Sequence, residues 1–286
     1  MRCGFIGLGV MGEPMCRHLA RKSGAEIAGF DLTPAPLKRL RADGVTAAAS
    51  VAALGRVSDV VFLSLPGGVE LEAVCGALLA LARAGQIVVD LGTSPVGLTR
   101  SLAASFAAAG ASYADAPVAR TRQAAEDGTL SVMVGGDTAT VAAIHPLLAC
   151  FAADITHCGA IGAGQIVKLM NNMVLIETVV ALGEALAVAR RAGVDGAVLF
   201  ETLAKGSADS FALRNHGLKA ILPAVFPARA FSASYALKDL GYALQLAEAA
   251  GLDLAGAQTA ARLLEATVAA GAGALYWPVV ARTIDD

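Results

Sequence analysis

Lys168 is the side chain around which chemistry can be built. It lies in Gly162-Ala163-Gly164-Gln165-Ile166-Val167-Lys168-Leu169-Met170-Asn171-Asn172, a segment of helix-forming composition. Helical spacing puts Gly164, Lys168 and Asn172 on one face, at i, i+4 and i+8, with Asn171 one position round. An amine flanked by Ile166, Val167, Leu169 and Met170 is expected to lose solvent, which disfavours the charged form and brings its pKa down from ~10.4. Such a lysine can protonate a carbonyl oxygen as hydride arrives, or take a hydroxyl proton in the opposite direction. Asn172 could hold the ammonium or a substrate hydroxyl, and Gly164, having no side chain, lets a ligand come close. Spacing alone leaves open a helix-surface lysine that reaches for water.

A second group of residues sits near the N-terminus. Gly7-Leu8-Gly9-Val10-Met11-Gly12 fits G-x-G-x-x-G between a strand-like run and a helical stretch. The first glycine permits the tight turn, the second lets backbone approach a pyrophosphate, and the third allows close helix–strand packing. Helix N-terminal N–H groups then face the diphosphate. Asp31 follows about 20 residues beyond, where an acid can accept from a ribose 2′-hydroxyl. Asp31 would repel a 2′-phosphate, and Leu32 and Thr33 supply no cation for one. The expected cofactor is therefore NAD(H) rather than NADP(H).

These residues need a scaffold, and the chain has the length for one in two parts: 286 residues, at ~100–200 per domain. Residues 3–6, 26–30, 60–65 and 87–91 are short β-branched runs bounded by Gly, Pro or Asp, as expected of strands buried on both faces. Helix-length stretches at 69–83 and 96–109 separate them, and 113–118 and 131–134 are further strand candidates. The fold class that follows is α/β: a doubly wound, parallel Rossmann sheet with right-handed crossovers. From residue 165 to about 192 the sequence is almost unbroken apolar helix, ~42 Å long. Helical stretches at 196–205, 213–222, 236–250 and 254–270 make the remainder all-α. The expected domains are residues 1–163 and residues 164–286, joined by the long helix.

Composition excludes several classes. Lys and Arg total 22 against 24 Asp and Glu, a net charge of -2, which argues against nucleic acid or anionic membrane as partner. With 56% hydrophobic and 16% charged residues, disorder is excluded as the dominant state. The uncharged stretches 101–114 and 266–281 fall below the ~18 apolar residues of a spanning helix, so no membrane span is expected. Five cysteines, without C-x-x-C or zinc spacing, are expected to be buried thiols in a reducing, cytoplasmic compartment, with no metal. The apolar excess predicts a homodimer or homotetramer packed through the helical domain.

Taken together, the motifs resemble the β-hydroxyacid dehydrogenases, which include 3-hydroxyisobutyrate dehydrogenase and tartronate semialdehyde reductase and are relatives of 6-phosphogluconate dehydrogenase. The resemblance runs through residues 7–12 with Met15, Leu65-Pro66, Asp115-Ala116-Pro117-Val118 with Gly128-Thr129-Leu130, residues 162–172, and Lys238-Asp239-Leu240. It implies an active site in the cleft between the domains, Lys168 as general acid/base and Asn172 beside it. It also implies Lys238 and Asp239 as the pair near the nicotinamide end, and Thr93 as a cofactor contact. The stretch Asp90-Leu91-Gly92-Thr93-Ser94-Pro95 departs from the family's usual D-x-S-T-x-x-P.

One loop departs further. Most members follow D-x-P-V with Ser-Gly-Gly, which holds a substrate carboxylate; here Val118 leads into Ala119-Arg120-Thr121. The pair Arg120-Thr121 resembles sulfolactaldehyde reductase, a branch that recognises a sulfonate, although Leu175 stands where a further Asn is expected. A guanidinium can grip an oxyanion by two parallel N–H bonds, so Arg120 is expected to anchor the anionic end of the substrate. The function expected is interconversion of a small 3-hydroxy acid, or its sulfonate analogue, and the matching semialdehyde. Alternatives are an imine reductase of similar architecture, which would lack this lysine, and a non-catalytic dinucleotide-binding module. The histidines His18, His145, His157 and His216 are expected to be satisfied structural residues. Phe211, Phe231, Tyr235 and Tyr276-Trp277-Pro278 fit a cleft wall, a core or an interface equally.

Overall fold

A computed structural model describes residues 1–228 and 230–285. Two compact units divide the chain, Met1–Lys168 and Leu169–Asp286.

The first unit is built on a nine-stranded sheet: β1 (Arg2–Ile6), β2 (Glu26–Phe30), β3 (Thr46–Ala47), β4 (Val60–Leu63), β5 (Ile87–Asp90), β6 (Ser112–Asp115), β7 (Val118–Ala119), β8 (Leu130–Gly135) and β9 (Ala152–Gly159). The order is β3-β2-β1-β4-β5-β6-β8-β7, with β9 paired to β8. From β3 to β6 every neighbour is parallel. Helices α1 (Gly12–Lys22), α2 (Pro34–Leu40), α3 (Val51–Val57), α4 (Gly68–Leu79) and α5 (Val96–Ala108) supply the crossovers, and α6 (Arg122–Asp127) and α7 (Thr138–Leu148) serve the far edge. Strand alternation fills both faces. Phe5 and Phe62 stack in the core with Met15, Leu19 and Phe151, while Val61 and Leu63 pack with Leu54, Leu71 and Phe106 on the other side.

Beyond β6 the sheet is not the parallel continuation expected. The run 113–118 is cut by Pro117, which has no N–H for the ladder, into β6 and β7. Strand β8 pairs antiparallel with both; the segment between β7 and β8, residues 120–129, falls short of the dozen or more residues a parallel crossover takes. Strand β9 was not anticipated: its side chains are mostly half-buried or exposed, so it carries no apolar run.

Helix α8 (Ala163–Arg191) has 29 residues and passes from the first unit into the second. By length and composition it is the one helix among the described residues that could cross a membrane, contrary to the expectation from uncharged stretches. Its Ile176, Val179, Val180, Leu182 and Leu186 instead enter the core of the second unit. There they meet α9 (Gly196–Leu203), the π-helical segment Leu213–Ile221, α10 (Ala233–Ala249), α11 (Ala255–Thr267) and α12 (Val280–Asp285), around the buried Trp277. All five cysteines are free thiols, and all but Cys158 are buried.

Candidate active site

The glycine turn leaves the carboxyl end of β1, the strand from which the chain order runs outward in both directions. Gly7 sits at φ +89°, where a Cβ would run into the Ser64 carbonyl, and a Cβ on Gly12 would strike the Gly7 carbonyl. Both positions therefore exclude side chains. Above Gly9 there is open space to 4 Å, and Gly9 and Val10 are exposed while Leu8 is buried. This is the cradle a diphosphate needs. Asp31 braces it: one carboxylate oxygen accepts from the Leu8 N–H at 2.6 Å and the other from the Thr33 N–H at 2.7 Å. Lone pairs remain on both oxygens for a ribose hydroxyl. Leu65 packs against Gly7, Pro66 is exposed beside it, and Thr93 is half-buried in the loop after β5.

The start of α8 is fixed by groups that sequence reasoning passed over. Asp115, the last residue of β6, is buried and accepts from the Gly162 N–H at 2.7 Å and the Gln165 N–H at 2.8 Å. Burial pushes its carboxyl above the usual range, and those N–H groups oppose the shift. The Gln165 amide is buried too. It donates to the Gly92 carbonyl at 2.9 Å and to Asp90 at 3.3 Å, and accepts from the Ser94 N–H at 3.1 Å. Asp90, at the end of β5, also takes the Ser94 hydroxyl and the Gly92 N–H, each at 2.9 Å. The available signal was a polar residue closing each of two apolar strands.

Gly164 is not open to a ligand, as had been expected. A Cβ there would meet the Met133 carbonyl and Asp115, so the glycine exists to seat α8 on β8. Lys168 follows one turn later and is half-buried. Its sequence neighbours do not all surround the amine, since they point around the helix: Leu169 is fully buried and Val167 is 41% exposed.

Strand β7 ties the substrate-loop candidates to the same strand. Val118 pairs with Val132, Ala119 pairs with Ser131, and the Met133 N–H reaches the Pro117 carbonyl at 3.2 Å. Thr121 caps α6, its hydroxyl accepting from the Ala124 N–H at 3.3 Å. The Arg120 guanidinium donates to the Thr129 carbonyl at 2.8 Å and to Asp154 at 2.5 Å.

In the second unit, Asn172 is buried and donates to Asp239 at 2.7 Å, while its carbonyl oxygen accepts from Asn171 at 3.0 Å. Lys238 pairs with Asp239 at 2.8 Å and lies 4.8 Å from the Tyr242 ring centroid. The pair stands inside α10. His216 departs from the satisfied histidine expected: its Nδ1 meets the Tyr276 hydroxyl at 2.6 Å, but among the described residues nothing partners its buried Nε2. Phe211, Phe231 and Tyr235 are all partly exposed around this region of the sequence. Among the described residues, no three His, Cys, Asp or Glu side chains form a group able to hold a metal.

The chain resembles known proteins in sequence and in fold. Residues 2–159 match the NAD binding domain of 6-phosphogluconate dehydrogenase, and residues 162–276 match the NAD-binding region of NADP-dependent 3-hydroxyisobutyrate dehydrogenase. The chain is 34% identical to 2-(hydroxymethyl)glutarate dehydrogenase of Eubacterium barkeri, over 96% of this chain and 91% of that one. It is 33% identical to 2-hydroxy-3-oxopropionate reductase of Escherichia coli K12, over 96% and 94%. The 3-hydroxyisobutyrate dehydrogenase of Mycobacterium tuberculosis, solved with L-serine, superposes with a TM-score of 0.92 at 31% identity, covering 100% of this chain and 99% of that one. With likeness of this extent in both sequence and fold, the chain belongs to the β-hydroxyacid dehydrogenase family.

Proposed function

We propose that this protein interconverts a small, anionic 3-hydroxy acid and its semialdehyde, using a nicotinamide dinucleotide. The observation that carries this is the anchoring of α8: buried Asp115 and Gln165 fix its first turn at the carboxyl ends of β5 and β6, and Lys168 stands one turn on. The glycine turn, Asp31, Leu65-Pro66 and residues 118–121 also follow carboxyl ends of strands, where ligands bind in open α/β sheets. When bound, the dinucleotide supplies the hydride acceptor or donor. Lys168 then takes the hydroxyl proton on its Nζ during oxidation, or returns it to the aldehyde oxygen during reduction. Asn172, held by Asp239 and Asn171, keeps its amide in one orientation beside it on α8. Lys238 and Asp239 are assigned to the nicotinamide end, and Thr93 to the cofactor. Arg120, with Val118, Ala119 and Thr121, receives the anionic end, carboxylate or sulfonate, and Asn171 and Asp239 complete the substrate contacts.

The discriminating experiment is a dehydrogenase screen with both dinucleotides, with Lys168→Ala as blank. It covers 3-hydroxyisobutyrate, glycerate, 4-hydroxybutyrate, threonate and dihydroxypropanesulfonate. Turnover of cyclic imines alone, or dinucleotide binding without turnover, would overturn the assignment. NAD(H) is the preferred cofactor, supported by Asp31 and by Arg39, whose guanidinium is committed to Glu13 by two 2.7 Å bonds. Asp31→Ser combined with Leu32→Arg should move the preference towards NADP(H) by at least tenfold in kcat/KM. No change would sink the role given to Asp31. The exposed Val174 and Val188 on α8 support a homo-oligomer, and a monomer by light scattering would count against it.

A further inference from the structure

Arg120 has φ +85°, a left-handed conformation that disfavours any residue with a side chain. Something must hold it there. Its guanidinium is gripped by the Thr129 carbonyl and by Asp154, which lies far along the chain on β9. The aim of Asp154 comes from an irregularity in the β8–β9 ladder: Leu130 pairs with Ala152, but Ser131 pairs with Asp154, leaving Ala153 extra. A bulge of this kind twists the strand and redirects the next side chain. Ala119, Ser131 and Asp154 thereby fall in one cross-strand row through β7, β8 and β9.

The pair is short but exposed, at 45% for Arg120 and 57% for Asp154. Ion pairs in that setting hold weakly and exchange partners readily. The two bonds use two of the five guanidinium N–H donors.

We propose that Asp154 is an internal counter-ion for Arg120 that the anionic end of the substrate displaces, an inference that rests on the anchor role given to Arg120 above. The neutral Thr129 carbonyl keeps its bond and serves as the pivot, while a carboxylate or sulfonate takes the place of the Asp154 carboxylate. A neutral analogue brings nothing to exchange and leaves the pair closed. Asp154 is thus a specificity-determining residue, setting how strong an anion must be to engage the loop.

The test is calorimetric titration of the full chain, loaded with reduced nicotinamide dinucleotide so that the hydroxy probes bind without turnover. The probes are 3-hydroxyisobutyrate and 2,3-dihydroxypropanesulfonate. Asp154→Asn and Asp154→Ser should each tighten binding of the better probe by about three- to five-fold, the reach of an exposed ion pair. Asp154→Glu should restore the original affinity. Arg120→Ala should weaken binding by about tenfold or more, and adding Asp154→Asn to it should change nothing further. A gain in affinity is a result that a merely structural Asp154 cannot give, so unchanged or weaker binding in Asp154→Asn overturns the counter-ion. If Arg120→Ala binds normally, the anchor falls and the counter-ion with it, while proton transfer by Lys168 stands. If the unsubstituted protein binds neither probe, both roles are overturned.

Discussion

In the unit Met1–Lys168 the buried carboxylate of Asp115 is held by the Gly162 and Gln165 backbone N–H groups, and Asp90 adds to one backbone N–H a serine hydroxyl and a glutamine amide. In Leu169–Asp286 the buried Asp239 is held by two side chains, Asn172 and Lys238. The difference matters because a main-chain donor survives every substitution except proline, whereas a side-chain donor can be removed by many. The first arrangement suits a scaffold that must keep α8 in place whatever loops surround it. The second ties a buried charge to residues that are themselves candidates for binding.

The sharpest way to break this comparison is through chemistry. If the first unit carries proton transfer, Lys168→Ala should lower kcat/KM by roughly 10²–10⁴, followed by nicotinamide absorbance. Lys168→Arg should not restore it, since a guanidinium gives up no proton near neutral pH. A loss below tenfold would remove Lys168 from the mechanism.

Stability gives the next contrast. Lys238→Met strips a buried carboxylate of its counter-ion and should cost about 3 kcal/mol in urea unfolding. Ser94→Ala removes one of several donors to Asp90 and should cost about 1 kcal/mol. Equal costs would erase the distinction between the units.

Acid should act on the second unit. Burial, with Lys219 adding to it, pulls His216 down to about 4, so it is neutral when folded and titrates near 6.5 when unfolded. Between those values the unfolded chain binds more protons, and stability must fall as pH falls through that window. The loss by pH 4 is on the order of 3 kcal/mol, and His216→Gln should flatten the profile. A profile unchanged by that substitution would show that His216 is not the acid-sensitive group. An effect as small as that of Ser94→Ala belongs to the loop: Thr121→Ala removes the cap of α6, worth about 1 kcal/mol, and a neutral result would mean water replaces the hydroxyl.

Much of the first unit was legible because its strands advertise themselves. The runs at β1, β2, β4 and β5 are apolar, β-branched and stopped by Gly, Pro or Asp, and Gly7 and Gly12 each have a distinct steric reason. The edge was not legible. β9 has no apolar pattern, and the direction of β8 depends on a short link whose length had to be seen as structure. Gly164 was misread because a missing side chain can admit a ligand or a neighbouring carbonyl, and only the fold separates the two. In the second unit helices were readable by composition, but helical periodicity does not say which buried groups meet. Asn172 with Asp239 and His216 with Tyr276 are long-range pairs of that kind. Arg120 was singled out from its chemistry, yet its partner Asp154 was invisible, since a bulge rather than sequence proximity brings them together.

The carboxylate of Asp115 lies at the start of α8, where the aligned peptide dipoles of a 29-residue helix concentrate positive potential. That pole is already neutralised from within the protein. On the assignment proposed above, an incoming acid finds no unbalanced helix field there and depends on the Arg120 guanidinium of the neighbouring turn. Selectivity for the acid and placement of Lys168 would then be written in separable pieces of chain. Exchange of residues 119–121 for another anion receptor should leave the helix that carries Lys168 in place.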